Sequence, residues 1–156
     1  MTGESQTQFT LGIVRKHPHV LLGMKKRGFG EGRWNGFGGK LKAGESVEDA
    51  ARRELKEEAG IDAGEVCKLG RIAFWVRGQH DPIYMHIFSV GEYTGEPVET
   101  EEMRPEWFHI DTLPYDGMWE ADRHWLPLAL EGVRFSGWFI YDENDKLKRY
   151  DIERLD

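Results

Sequence analysis

The sequence contains a single cysteine, Cys67, among its 156 residues. That excludes an internal disulfide framework and any cysteine-rich zinc site. The six histidines are scattered, and none forms the paired H-E-x-x-H spacing of a zinc hydrolase helix. Positive charge is short as well: the formal net charge is −7, so the average surface repels nucleic-acid backbones and anionic membranes. A polyanionic ligand would have to be gripped by local cations or by metal, not by the global field. No apolar run approaches the roughly 18 residues that a membrane span requires, and the opening MTGESQTQFT is polar. No repeat, low-complexity tract or linker divides the chain. These absences predict one soluble domain over residues 1–156, monomeric and placed in the reducing cytoplasm, with no polymer of nucleic acid and no membrane as partner.

Glycine, by contrast, is plentiful. Six of the 19 glycines fall between Gly28 and Lys40 (GFGEGRWNGFGGK), a density that means tight turns and backbone approaching something closely. Before it lie two short β-prone runs, Gln8–Val14 and His19–Lys26, joined by a turn at His17–Pro18. Ser46 then opens a helix as N-cap, with Asp49 forming a weak capping box, and Gly60 ends it after Ala59. Strand-like runs follow near Glu65–Val76, Tyr84–Glu92 and Glu106–Ile110. A second helix is expected over Asp122–Glu131, its start blurred by Pro127. Val133–Tyr141 and Lys148–Leu155 read as a closing pair of strands around Glu143–Asp145. Strands mixed with two helices predict an α/β fold with a mixed sheet carrying helices on its faces. Cys67 reads as a small core residue.

The first helix carries Glu54, Glu57 and Glu58. At about 100° per residue, Glu57 and Glu58 lie about −60° and +40° from Glu54, so the three share one face. That face is not the solvated one, because Asp49, Arg52 and Lys56 cluster roughly opposite, while Val47, Ala50, Ala51 and Leu55 lie next to the acids. Like charges at these spacings cost roughly 0.2–0.5 kcal/mol per pair, and the helix C-terminus disfavours anions by about 0.3–1 kcal/mol each. Arg53 offsets part of this but cannot bond all three. A hard divalent cation, Mg²⁺ or Mn²⁺, would turn the repulsion into coordination.

Gly39, Glu45, Arg53-Glu54-Leu55, Glu57-Glu58 and Gly60-Ile61 stand at the spacing of a complete Nudix box, and the chain resembles the Nudix hydrolases on all nine specified positions. No Walker-type G-x-x-x-x-G-K-[ST] surrounds Lys40, and no G-x-G-x-x-G precedes a helix. VLLGMKKRGFG, WNGFGGK, EMRPEWF and the pair Met118–Trp119 are further similar to the MutT-like oxidised-purine nucleoside triphosphatases of animals, over roughly Thr10 to Tyr141.

The resemblance implies an α/β/α sandwich with a loop–helix–loop catalytic motif. It implies metal ligation by Glu57 and Glu58 with the Gly39 carbonyl, and Glu54 and Glu102 completing the acidic cluster. Arg53 would orient a glutamate and Glu45 would hold the loop. One of Glu54, Glu58 or Glu102 would take the proton of the attacking water. The implied reaction is Mg²⁺-dependent hydrolysis of an oxidised purine triphosphate, such as 8-oxo-dGTP, to the monophosphate and pyrophosphate. Another nucleotide substrate and a non-catalytic nucleotide-binding module are the alternatives.

For the base, the resemblance points to Asn35 and to two adjacent aspartates. Here these fall on Ala121 and Asp122, so the first is missing. A lone ionised Asp122 can accept from both donors of a guanine-type edge but from only one of an adenine-type edge, which predicts 8-oxo-dGTP over oxidised dATP. Phe29, Phe74 and Trp119 are expected to stack on or wall the base, with Met103 and Trp125 nearby; Thr10 and Lys25 match further pocket positions. Val76 and Ile83 replace bulkier or more flexible pocket residues.

Overall fold

Unbroken buried runs at Thr10–Val14 and Val20–Gly23 mark β1 (Thr7–Lys16) and β2 (His19–Lys25) as strands covered on both faces. They belong to the computed structural model of the chain, which describes residues 7–155. The remaining strands are β3 (Trp34–Asn35), β4 (Asp62–Ala63), β5 (Val66–Trp75), β6 (Ile83–Val90), β7 (Tyr93–Thr94), β8 (Met103–His109), β9 (Arg134–Tyr141) and β10 (Leu147–Leu155). Helices α1 (Val47–Ala59) and α2 (Asp122–Leu130) complete the set, with 3₁₀ turns at Ile110–Thr112 and Tyr115–Gly117.

Eight strands form one sheet in the order β10-β9-β5-β6-β1-β2-β3, with β8 also paired to β2. The pairs β1–β6 and β5–β9 are parallel and the others antiparallel, so the sheet is mixed, as expected. β1 meets β2 only over Val14–Lys16. Toward its start the same edge is taken by the glycine-rich segment, through bridges Phe9–Lys40 and Gly12–Phe37. This split in the sheet is where the cavity described below opens.

Each face buries a separate core. Leu55, Ala59 and Ile61 pack with Val14, Leu21, Phe37, Val90 and Met103 on one side. Trp125 and Leu126 of α2 pack with Leu11, Ile13, Leu22, Ile72, Phe135 and Phe139 on the other. The result is the expected α/β/α sandwich. α1 begins and ends where its caps predict: Ser46 Oγ accepts from the Asp49 N–H at 3.0 Å, and the Gly60 N–H donates to the Lys56 carbonyl at 3.0 Å. The Asp49 carboxylate does not close the capping box but faces Arg52 at 3.7 Å.

Other expectations need correction. Cys67 is exposed rather than core, because the irregularity between Lys68 and Gly70 turns Leu69 inward and leaves the two preceding residues outside. β8 starts at Met103, earlier than expected, and accepts Pro105 because it pairs on one side only, with β2. Pro127 lies inside α2 rather than at its start. The short strands β3, β4 and β7, two residues each, are below the length at which alternation is legible. Among the described residues no helix is long and apolar enough to cross a membrane.

Candidate active site

The glycines of WNGFGGK let two backbones and a helix meet. A Cβ on Gly38 would collide with the Thr10 carbonyl, so backbone leaves no room for a side chain there, and one on Gly39 would lie 2.5 Å from Glu54 Oε2 and displace that carboxylate. The closeness lets the Thr10 N–H donate to the Gly39 carbonyl at 2.9 Å and the Gly38 N–H donate to Glu58 Oε1 at 3.0 Å. The Gly39 carbonyl keeps its second lone pair.

Beside this junction opens a cavity of about 400 Å³. Of the residues expected at the site it is lined by Gly39, Glu54, Glu57, Glu58 and Glu102, together with Thr10, Lys25, Phe29, Asn35, Phe74, Met103, Trp119, Asp122 and Trp125. Arg53 lies behind the acids. It donates to Glu45 at 2.6 and 2.9 Å, to Glu54 at 3.0 Å, to Glu57 at 3.3 Å and to the Lys40 carbonyl at 3.2 Å. One guanidinium thereby ties the loop to two of the three helix glutamates and leaves Glu58 to other partners. The Arg53 bonds, helped by the Lys42 N–H, hold Glu45 well below the usual carboxylate range.

The three glutamates share a face but not an environment. Glu57 is half exposed, while Glu54 and Glu58 are 13% and 6% exposed at the side chain. Burial raises Glu54 above its ordinary value against the pull of Arg53. Burial also pushes Glu58 up to about 8; Glu54 and Glu102 add to the rise, opposed by Lys25 and the Gly38 N–H. Glu102 goes the other way, held low by Arg27, which donates to it at 2.8 and 3.0 Å, and by Lys25. The ammonium of Lys25 stands 3.5 Å from Glu102 and 3.9 Å from Glu58. The Lys25-Lys26-Arg27 run is thus divided: Lys25 enters the cavity, and Lys26 pairs outside with Glu99 at 2.7 Å. Among the described residues no three acidic, histidine or cysteine side chains close around one point as a cation cage.

On the α2 side the cavity is apolar with sparse polar atoms. Asp122 is buried, and burial pushes its carboxyl up to about 7. Its Oδ1 accepts from Trp125 Nε1 at 3.1 Å, while Oδ2 has no partner among the described residues. Thr10 Oγ1 is the other buried side-chain atom without a partner among the described residues. Asn35 Oδ1 accepts from the Gly36 N–H at 2.8 Å, which leaves its amide NH₂ to donate. Trp119 is contacted by Phe29, stacked at 5.2 Å, and by the Arg33 guanidinium at 4.0 Å.

Several participants escaped the sequence reading. Arg33 is held by Asp145 of the β9–β10 turn at 3.8 Å, and Arg77 pairs with the same carboxylate at 3.1 Å. Tyr141, Phe139, Ile72 and Met85 also line the cavity; alternation along β9, which puts Phe135, Gly137, Phe139 and Tyr141 on one face, was the available signal for two of them. Val76 and Ile83, expected to shape the pocket, do not line it; Val76 is consumed by the α2-side core.

Comparison with known proteins adds an independent line. A family profile described as NUDIX domain matches residues 7–129. The chain is 45% identical over 148 residues to the oxidized purine nucleoside triphosphate hydrolase of Mus musculus, covering 95% of each protein. It is 46% identical over 147 residues to the protein of the same description from Danio rerio, covering 94% of each. Among solved structures, a MutT protein from Bacillus halodurans superposes with a TM-score of 0.86 at 27% identity, over 94% of this chain and 97% of that one.

Proposed function

The chain belongs to the Nudix family, and from that membership we propose that it hydrolyses oxidised purine nucleoside triphosphates, 8-oxo-dGTP among them, to the monophosphate and pyrophosphate. The observation that carries this reading is the composition of one cavity. α1 and the segment before β8 supply four carboxylates, while α2 sets among aromatic walls a buried carboxylate oxygen, and β1 adds a buried hydroxyl, neither with a partner among the described residues. A nucleotide needs both: a place for a charge-neutralised phosphate chain, and a dry slot where unmet polar atoms meet a base.

The donor set fits a hard divalent cation. Glu54, Glu57, Glu58 and Glu102 and the Gly39 carbonyl offer only oxygen, and Glu58 is buried among acids with one ammonium nearby. Mg²⁺ is commonly held by one or two carboxylates together with substrate phosphates rather than by a closed protein cage, which agrees with the open arrangement of these residues. When bound, Mg²⁺ or Mn²⁺ would neutralise phosphate oxygens and make water a better nucleophile.

The protein's own work is positional. Arg53 fixes Glu54 and Glu57 relative to the loop, and the Gly38 N–H fixes Glu58. Lys25 stands between Glu58 and Glu102 and is placed to meet a phosphate. Glu54, Glu58 or Glu102 accepts the proton of the attacking water. Asp122 and Asn35 read the base, with Trp119, Phe29, Phe74 and Met103 as walls and Thr10 as a further polar contact. A monomer of one domain working in the cytoplasm completes the proposal, supported by the single cysteine and the acidic net charge.

The test is incubation with 8-oxo-dGTP and Mg²⁺ and identification of the released fragment. Pyrophosphate is expected; inorganic phosphate, or turnover unaffected by chelation, overturns the reading.

A further inference from the structure

Tyr141 ends β9 in the cavity wall beside Ala121. The Ala121 N–H donates to Tyr141 Oη at 2.9 Å, and both residues are buried. A phenol has one proton and two lone pairs. The Ala121 contact takes one lone pair, and the proton remains to be donated. Burial holds the phenol far above its usual range, so the proton stays on oxygen.

Asp122 does not receive that proton. Its Oδ1 accepts from Trp125 Nε1, and its Oδ2 has no partner among the described residues. The cavity therefore presents an unused donor on β9 and an unused acceptor on the adjoining start of α2. The Trp119 ring meets the Tyr141 ring edge-on at 5.2 Å and closes the wall beside them. Leaving such groups unpaired in a buried site is costly, and the pair is the complement of a ligand edge on which an acceptor adjoins a donor. A guanine-type edge has that order: the 6-oxygen accepts and the adjacent N1–H donates.

We propose that Tyr141 is a specificity-determining residue whose hydroxyl donates to the 6-oxygen of the purine while Asp122 accepts from N1–H. The assignment rests on the oxidised-purine reading and deepens it: the base is read by a carboxylate and a phenol together. It also adds a requirement that a lone carboxylate does not impose, an acceptor at position 6.

The test compares kcat/KM for 8-oxo-dGTP and for its 6-thio analogue, which keeps N1–H but replaces the oxygen with a weak acceptor. Wild-type protein is expected to prefer the oxygen substrate by about tenfold, the worth of one good buried hydrogen bond. Tyr141→Phe should bring the two substrates to within about twofold of each other, mainly through KM. The variant also leaves the Ala121 N–H unpaired and weakens the fold, but the ratio of two substrates on one preparation cancels the folded fraction. An unchanged ratio in Tyr141→Phe, or no preference in the wild type, overturns the assignment while leaving the activity standing. Absence of pyrophosphate release from 8-oxo-dGTP by the wild type overturns the proposed substrate and the assignment with it.

Discussion

On the α1 side of the cavity, polar atoms are crowded and almost all engaged: Arg53 serves Glu45, Glu54 and Glu57, the Gly38 N–H serves Glu58, and Arg27 and Lys25 serve Glu102. On the α2 side they are few, and one, Asp122 Oδ2, has no partner among the described residues. The first side is built largely from one continuous stretch, Gly38 to Glu58. The second is assembled from β1, β9 and α2, far apart in the chain. The contrast separates two tasks. A charge cluster that must act on any phosphate chain is held in place by its own ion pairs. A reader of one base edge keeps its hydrogen-bonding capacity for the ligand.

Substitutions on the two sides should therefore fail differently. The largest effect belongs to Glu58→Gln, which removes a carboxylate but keeps its shape: kcat for pyrophosphate release should fall roughly 10³-fold, equally for every nucleotide accepted. A loss that varied with the base would break the comparison.

Asp122→Ala comes next. It should lower kcat/KM for 8-oxo-dGTP by roughly tenfold to hundredfold, the range for hydrogen bonds to a charged group, while turnover of nucleotides with unrelated bases changes little. Equal losses for all bases would show that Asp122 supports the fold and not the reading.

The smallest effect is a matter of pH. Burial raises the Asp122 pKa to about 7, so the acid is protonated below that value and ionised above it. The ionised form accepts only and suits the two donors of a guanine-type edge; the protonated form donates as well and suits an adenine-type edge. The ratio of kcat/KM for 8-oxo-dGTP over oxidised dATP should rise several-fold between one unit below and one unit above that pKa. Taking the ratio on one preparation cancels titrations shared by both substrates. A flat ratio would sharpen the comparison by assigning discrimination to Asn35 or Tyr141 instead.

Legibility followed the same division. The spacing of Glu54, Glu57 and Glu58 and the opposed positions of Arg52 and Lys56 located the acidic face from periodicity alone. The glycine run foretold a close approach, and the β-prone runs outlined the major strands. What periodicity did not show is that Glu58 is buried beneath Lys25 while Glu57, one residue away, is half exposed. On the α2 side, Asp122 was visible only through the resemblance; alternation along β9 gave the face of Tyr141 but not its partner, and Arg33 left no signal. Their partners lie at Ala121, Trp119 and Asp145, and a contact between distant residues leaves no local pattern.

By itself the sequence determined the helix, its caps, the face on which its acids stand and the family to which that spacing points, because a helix repeats every few residues and its geometry is written in neighbours. Only the tertiary structure decided which of those acids loses its water, which cation each one keeps, and that a phenol from the penultimate strand lies against the backbone beside Asp122. Burial and pairing depend on what the rest of the chain brings alongside, and they set both the proton affinity of Asp122 and the hydrogen bonds left for a ligand.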